Sequence, residues 1–141
     1  MRFLIAFLAL AGAVVSTLAL HVHYSTETEP CSINEKWDCG IVNHSPYAMI
    51  GPVPVAAIGI AGYVVLGVLA LVRRRTLLAV LACAALGFSL YLTGIERNVL
   101  EVYCLYCVAS LGIITLLTAV SILWVITTAM GRRLLMPKLR R

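Results

Sequence analysis

Two cysteines three residues apart, Cys104 and Cys107, stand at the start of the last long apolar run of the chain. Residues three apart on a helix occupy neighbouring positions of one face, so the two sulfurs can close a small disulfide ring or present a pair of thiolates. A Cys-x-x-Cys pair at the end of a membrane helix indicates redox chemistry. We therefore predict that the segments before it bring electrons to this pair.

A second pair of cysteines, Cys31 and Cys39, lies in the one sizeable polar segment and is separated by seven residues. This spacing is too wide for a redox Cys-x-x-Cys turn but ample for a reversible loop disulfide. The alternative is a static bridge, which would stabilise the loop by about 2 to 3 kcal/mol. The fifth cysteine, Cys83, lies in the middle of an apolar run and is predicted to be a small packing residue.

The composition indicates a membrane protein. The chain has 141 residues, of which 62% are hydrophobic and 12% charged, and its mean hydropathy is +1.00. Each of four apolar runs is near or above the roughly 18 to 20 residues that a bilayer core requires. The runs are Phe3 to Leu20, Pro52 to Val72, Leu77 to Thr93 and Val102 to Met130. We predict one all-α domain over residues 1–141, a four-transmembrane-helix bundle whose first run is retained as a helix and not cleaved as a signal peptide.

The charges predict the orientation in the membrane. Four alternating crossings place nine of the basic residues on one side, without any acidic residue, and that side is cytoplasmic by the positive-inside rule. These are Arg2, Arg73, Arg74, Arg75, Arg132, Arg133, Lys138, Arg140 and Arg141. The opposite side carries Lys36, Arg97 and all six acids, Glu27, Glu29, Glu35, Asp38, Glu96 and Glu101. We expect a multi-pass protein of the cell inner membrane with both termini in the cytoplasm and the four paired cysteines in an extracytoplasmic space that permits disulfides.

The segment between the first two runs is predicted to cover the outer mouth of the bundle. Ser45 as an N-cap and Pro46 at the first helical position indicate a short half-helix over residues 45–50, in which Tyr47 dips into the interface. Such a segment is tolerated at membrane depth only where it lines a cavity in the protein.

The approach to the last helix is predicted to consist of a helix end at Gly94 and a capping-box-like pair, Asn98 and Glu101. This places Cys104 in the second turn of the last helix. Cys107 then faces the apolar interior, and Leu111 extends the same face inward, where a flat, lipid-soluble redox molecule could rest.

These motifs together resemble the vitamin K epoxide reductase family in its bacterial single-domain form. The resemblance rests on Cys31, seven residues, Cys39, then Ser45, a helix start Gly-Pro-Val-Pro-Val-Ala-Ala-Ile-Gly, and Cys-Leu-Tyr-Cys on the last helix. It implies a four-helix bundle around a quinone, ubiquinone or menaquinone, that is reduced by the Cys-x-x-Cys pair.

The resemblance also implies a role for each residue. Cys107 matches the thiol that attacks or contacts the quinone, and Cys104 the thiol that exchanges with the loop cysteine Cys39. Cys31 matches the cysteine that meets an external thioredoxin-like protein, which we expect to be a separate chain. Ser45 and Tyr47 match residues beside the quinone, with Leu111 where vertebrate members have a tyrosine.

The resulting hypothesis is a quinone-linked thiol-disulfide oxidoreductase that supports disulfide formation. One alternative is a vitamin K quinone or epoxide reductase, against which stand Leu111 and the lack of an asparagine near the start of the second helix. Another is a metal-binding membrane protein that uses Cys104, Cys107 and the histidines His21 and His23, although we expect no metal and interpret the histidines as interfacial. A structural membrane protein with inert bridges is the third.

Overall fold

A computed structural model of the chain describes residues 1–25 and 31–139, with side chains up to residue 132. The helices are α1 Arg2–Tyr24, α2 Cys39–Asn43, α3 Val55–Leu71, α4 Arg75–Ile95 and α5 Leu105–Leu139. Between α2 and α3 lie a 3₁₀ turn, Pro46–Ala48, and the strands β1 Met49–Ile50 and β2 Val53–Pro54. A π-helical turn, Glu96–Leu100, follows α4 directly. Glu27, Glu29, Arg140 and Arg141, which enter the charge pattern, lie outside the described residues, as do the side chains of Arg133 and Lys138.

Three of the described helices are long and apolar enough to cross a membrane: α1, α4 with its π-helical extension, and α5. The fourth apolar helix, α3, has 17 residues and falls short of that length. The protein is thus a mostly helical, multi-pass membrane protein. The four predicted apolar helices are all present, and three of them meet the length of a full crossing.

The long helices pack into one bundle. Helix α1 lies against α3 and α5, and α4 lies against α5. Their shared core contains Ile5, Tyr63, Leu66, Leu78, Ile114 and Leu117. Many large apolar side chains point outward, Phe3, Phe7 and Leu10 among them, as expected for a surface in contact with lipid.

Small residues set the close approach of α1 and α3. A Cβ at Gly59 would lie 3.0 Å from the Ser16 hydroxyl, and a Cβ at Gly12 would collide with the ring of Tyr63. The prediction for Cys83 was wrong: its side chain is exposed on the outer surface of α4 and fills no gap.

The predicted half-helix over residues 45–50 is shorter than expected. Ser45 does precede a turn with proline at its first position, but that turn is a single 3₁₀ turn and the serine side chain does not cap it. The chain then forms a two-stranded hairpin in which Met49 pairs with Pro54. Gly51 occupies the hairpin turn with φ of +61°, a left-handed conformation that glycine adopts without strain.

The junction between α4 and α5 also differs from the prediction. Gly94 does not end a helix, because α4 continues to Ile95 and runs on as the π-helical turn. Glu101 does not belong to a capping box: it has φ of +56° and reverses the chain before α5. Helix α5 begins at Leu105, so Cys104 immediately precedes the helix and does not lie in its second turn.

Candidate active site

Three of the four paired cysteines meet in one buried cluster. Cys31 and Cys39 form a disulfide with their Cα atoms 5.8 Å apart. The Cys104 thiol lies 3.4 Å from the Cys39 sulfur, although 65 positions separate them in the chain. None of the three is more than 2% exposed. A free thiol therefore lies in contact with the disulfide sulfur that it could attack.

The loop that carries this disulfide is fastened to the segment before α5. The Tyr103 amide donates to the carbonyl of Lys36 at 2.8 Å, and the Asp38 amide donates to the Tyr103 carbonyl at 3.1 Å. The rings of Trp37 and Tyr103 also lie 5.6 Å apart. Since Cys39 and Cys104 each follow directly after these contacts in the chain, the contacts set the sulfur-to-sulfur distance.

Helix α2 begins at Cys39 because Asp38 caps it. The Asp38 carboxylate accepts from the Ile41 amide at 3.1 Å and from the Ser32 hydroxyl at 3.0 Å. An aspartate at this position satisfies an amide that would otherwise lack a partner. The cap thereby fixes the backbone at Cys39 and ties it to the residue after Cys31.

A buried asparagine bridges the two cysteine pairs. The Asn43 side-chain amide donates to the Cys39 carbonyl at 2.9 Å and approaches the Cys104 sulfur at 3.5 Å. Its backbone carbonyl accepts a hydrogen bond from Nδ1 of the His23 ring at 2.5 Å. An amide donor beside a sulfur favours the thiolate, so Asn43 is placed to stabilise the reactive form of Cys104.

The Cys104 thiol has further partners on its other side. Its sulfur is hydrogen-bonded with the Cys107 thiol, and this bond is the largest cause that lowers the pKa of Cys104, against the opposing effect of burial. Its backbone amide donates to a Glu96 carboxyl oxygen at 3.2 Å. A lower pKa raises the thiolate fraction near neutral pH, and the thiolate is the attacking species.

Cys107 borders a cavity of about 380 Å³ inside the bundle. Most of the lining is apolar and comes from α1, α3, α4 and α5, for example Ala19, Ile58, Leu66, Phe88 and Ile114. The polar residues of the lining include Asn43, Glu96 and Ser110, together with Cys107. Apolar cavities of this size with a few convergent polar groups are the usual form of small-molecule sites.

Of the other three predicted cofactor-binding residues, two line this cavity and one does not. Ser45 is buried and Tyr47 half-exposed, and both belong to the lining. The Ser45 hydroxyl is engaged, since it donates to the Val42 carbonyl at 2.7 Å. Leu111 packs against the hydrophobic core and is not in the lining, where Ser110 and Ile114 stand instead.

Sequence reasoning missed Asn43, Glu96 and Ser110 as site residues and interpreted His23 as interfacial only. Two signals were present. A lone carboxylate next to a long apolar run is costly in a membrane and is a functional candidate by default. Asn43 follows Cys39 by four residues, so on a helix the two side chains lie on the same face. His23 lines the cavity and its ring stacks 6.1 Å from that of His44.

The described part of the chain brings no three His, Cys, Asp or Glu side chains together in a way that could hold a metal ion. The hypothesis of a metal site at Cys104 and Cys107 therefore receives no support from the geometry.

Fold and site together define a class: a helical membrane protein in which a loop disulfide touches one thiol of a pair, while the other thiol borders a cavity in the bundle. The profile of the Vitamin K epoxide reductase family matches residues 3–122, and the chain belongs to this family of oxidoreductases. The predicted membership is confirmed. A comparison with curated proteins finds no match for this chain.

Proposed function

We propose that the protein transfers electrons from an extracytoplasmic thioredoxin-like protein to a membrane quinone and thereby supports disulfide formation. Family membership supports a quinone-linked thiol-disulfide oxidoreductase in general. The observation that carries the finer proposal is the contact between Cys39 and Cys104 at 3.4 Å, beside a second thiol, Cys107, that borders the cavity. In the proposed path, electrons pass through these sulfurs in turn from the loop to the membrane interior.

The proposed cycle balances in electrons and protons. A reduced carrier dithiol opens the Cys31–Cys39 disulfide and is itself oxidised. The Cys39 thiolate then attacks Cys104 in a Cys104–Cys107 disulfide, Cys107 leaves as a thiol, and Cys31 resolves the mixed disulfide at Cys39. The result is a loop disulfide with two inner thiols, which is the sulfur pattern of this structure. The inner thiols then pass two electrons and two protons to the quinone as they close their disulfide.

The residues around the cavity fit a quinone as the electron acceptor. Apolar side chains from four helices suit a flat ring with an isoprenoid tail, and the polar end at Cys107 and Glu96 suits the ring oxygens. Cys107 is the only cysteine in the lining among the described residues. We therefore assign the contact with quinone to Cys107, and assign Ser45 and Tyr47 to the wall of the same site.

The outer half of the cycle requires the loop to move. Cys31 is 2% exposed, so an external protein cannot reach its sulfur in this arrangement. Ile33 and Ile41, close to the two loop cysteines, are 65% and 52% exposed and offer an apolar surface for a carrier. We propose that docking of the carrier loosens the loop and uncovers Cys31.

The test is quinone reduction by the detergent-solubilised protein, driven either by a reduced thioredoxin-like carrier or by a small dithiol. Cys107→Ala should abolish both activities. Cys31→Ala should lose the carrier-driven activity and keep the small-dithiol activity, because the inner pair remains intact. Cys83→Ala is the matched control and should resemble the wild type, since Cys83 lies outside the sulfur path.

A wild type that reduces neither ubiquinone nor menaquinone analogues with either electron source would refute the proposal. A parallel assay with vitamin K epoxide tests the alternative activity: turnover of the epoxide in preference to the quinone would make the protein an epoxide reductase.

We also propose that the sulfur cluster and its loop lie on the extracytoplasmic side, and both termini in the cytoplasm. Arg73 and Arg74 lie in the turn between α3 and α4, and Arg75 begins α4, at the opposite end of the bundle from the four paired cysteines. Labelling of a single cysteine placed at Ile33 or Arg74 with a membrane-impermeant maleimide in intact cells tests the orientation. The residue 33 variant should be labelled and the residue 74 variant should not.

A further inference from the structure

One acidic side chain is buried at the centre of the site. Glu96 is 3% exposed, whereas Glu35 and Glu101 are exposed and Asp38 is intermediate. Of the acidic side chains that the structure describes, Glu96 is therefore the only buried one. It lines the cavity together with Cys107. A carboxyl group in such a place is costly and rarely occurs without a function.

The carboxyl group contacts both inner cysteines. One oxygen accepts from the Cys104 amide at 3.2 Å, and the group is hydrogen-bonded with the Cys107 thiol. The first contact orients the backbone before α5. The second places an acid-base group at the sulfur that borders the cavity, which a purely structural role does not require.

The π-helical turn explains how Glu96 reaches this position. Helix α4 ends at Ile95, and the wider turn over Glu96–Leu100 begins with the glutamate. Glu101 then reverses the chain and brings Cys104 back to the Glu96 carboxyl. Single π turns of this kind are frequently found at functional sites.

We propose that Glu96 is a catalytic residue that accepts the thiol proton of Cys107 when the inner pair is oxidised and delivers it to the reduced electron acceptor. This inference rests on the proposed function and deepens it. Two S–H bonds break and one S–S bond forms, so two electrons and two protons leave the pair. Both electrons go to the quinone. One proton travels through Glu96, which ends the step as it began, and the other comes from Cys104.

Glu96 shares the cavity with several other titratable groups, which must be considered in any pH experiment. They are His23 from α1, Tyr47 from the 3₁₀ turn, Tyr63 from α3, and Tyr106 and Cys107 from α5, and Cys104 contacts Glu96 directly. The test therefore uses substitution at fixed pH and not a pH profile.

The key variant is Glu96→Gln, because glutamine can still accept from the Cys104 amide but cannot take up a proton. Rapid mixing of the fully reduced protein with a quinone analogue should show oxidation of the inner pair about 100-fold slower than in the wild type, within the usual range for general acid-base catalysis. Glu101→Gln removes the same charge from an exposed site nearby and should oxidise at the wild-type rate.

Alkylation of Cys107, followed by mass spectrometry without any quinone, gives the second readout. Glu96→Gln removes a carboxylate beside the thiol and should leave alkylation at least as fast as in the wild type. Slow oxidation with undiminished alkylation supports a role in proton transfer. Oxidation at the wild-type rate overturns the proposal, and so does a parallel loss of alkylation, which would indicate that Glu96 only positions Cys107.

Two other results are covered: a Glu96→Gln variant that does not fold, and a wild type that is inactive with quinone. If Glu96→Gln does not fold, Glu96→Asp serves in its place, since it keeps a carboxyl but displaces it: oxidation should slow while alkylation persists, and an unchanged oxidation rate overturns the proposal. A wild type that does not reduce quinone at all refutes the proposed function itself, a result that is distinct from equal rates in wild type and Glu96→Gln.

Discussion

At the level of residues, the chemistry of the cysteines was predictable and their surroundings were not. Thiol types and spacings are visible in the sequence, and they predict two pairs that exchange electrons. The partners of these thiols come from distant segments: Asn43 reaches Cys104 across 61 positions, and Glu96 reaches it through a chain reversal. Such contacts depend on how loop and bundle pack, which no local pattern specifies.

The hydrogen bond between Cys104 and Cys107 predicts a specific pH dependence. This bond lowers the pKa of Cys104, so its thiolate, and with it the alkylation rate, persists to a lower pH than for an ordinary thiol and falls only below the lowered pKa. Cys107→Ala loses the bond, whereas Cys107→Ser keeps a donor. The pH midpoint of Cys104 alkylation should therefore be higher in the alanine variant. Equal midpoints in the two variants would contradict the assigned cause.

At the level of elements, long helices were predicted well and their junctions poorly. Apolar runs of about 20 residues predict membrane helices because backbone groups must be satisfied internally in lipid. The end of α4 was misplaced at Gly94 because a glycine near the end of an apolar run is typical of a helix end. In the structure the chain continues past Gly94 as a π turn, and this turn begins with Glu96, which is buried in the site.

The left-handed conformation of Glu101 predicts an unusual order of variant stabilities. A residue with a side chain at φ of +56° carries a strain of about 1 kcal/mol or more, which glycine avoids and a β-branched residue increases. Glu101→Gly should match or exceed the wild type in thermal stability, and Glu101→Val should be less stable. Thermal unfolding in detergent measures both. A valine variant as stable as the glycine variant would show that the turn relaxes.

The contact between α1 and α3 predicts that Gly12 cannot be enlarged. A Cβ at this position would collide with the Tyr63 ring, whose hydroxyl is held by Ser110 at 2.8 Å. Gly12→Ala should destabilise the protein by about 1 to 3 kcal/mol, the usual cost of overpacking. Gly87→Ala is the matched control, since open space surrounds Gly87, and should show no such loss. Thermal unfolding of both variants in detergent measures the difference, and equal stability of the two would contradict the prediction.

At the level of the whole molecule, the sequence supported a helical membrane oxidoreductase, and family membership and fold agree with it. The order of cysteines along the chain allowed the resemblance to be recognised, because the spacing of cysteines can be read directly from the sequence, whereas side-chain packing cannot. The cavity was expected, and the predicted residues Ser45, Tyr47 and Cys107 do line it, but Leu111 packs against the core while Ser110 faces the cavity. Successive residues of a helix point in directions about 100° apart, and the ends of an apolar run do not determine which of them faces the cavity.

The cavity predicts that a bound quinone stabilises the protein. A ligand at 100 times its dissociation constant adds about 2.7 kcal/mol to the unfolding free energy and raises the unfolding temperature. Gly62 lines the cavity with open space beside it, so Gly62→Leu should fill the site and remove this shift. Gly87→Leu adds the same side chain outside the cavity and should keep it. An undiminished shift in Gly62→Leu would place the quinone elsewhere.

The contact between Cys39 and Cys104 also allows electron transfer in both directions. Exchange between touching sulfurs obeys microscopic reversibility, so the same approach that admits electrons to the inner pair allows Cys104 to return them to the loop disulfide. Net flow then depends on reduction potentials alone, and about 30 mV alters the equilibrium tenfold. We expect a membrane whose quinone pool is largely reduced to drive the proposed cycle backwards, so that disulfide formation outside the cell would stall with respiration.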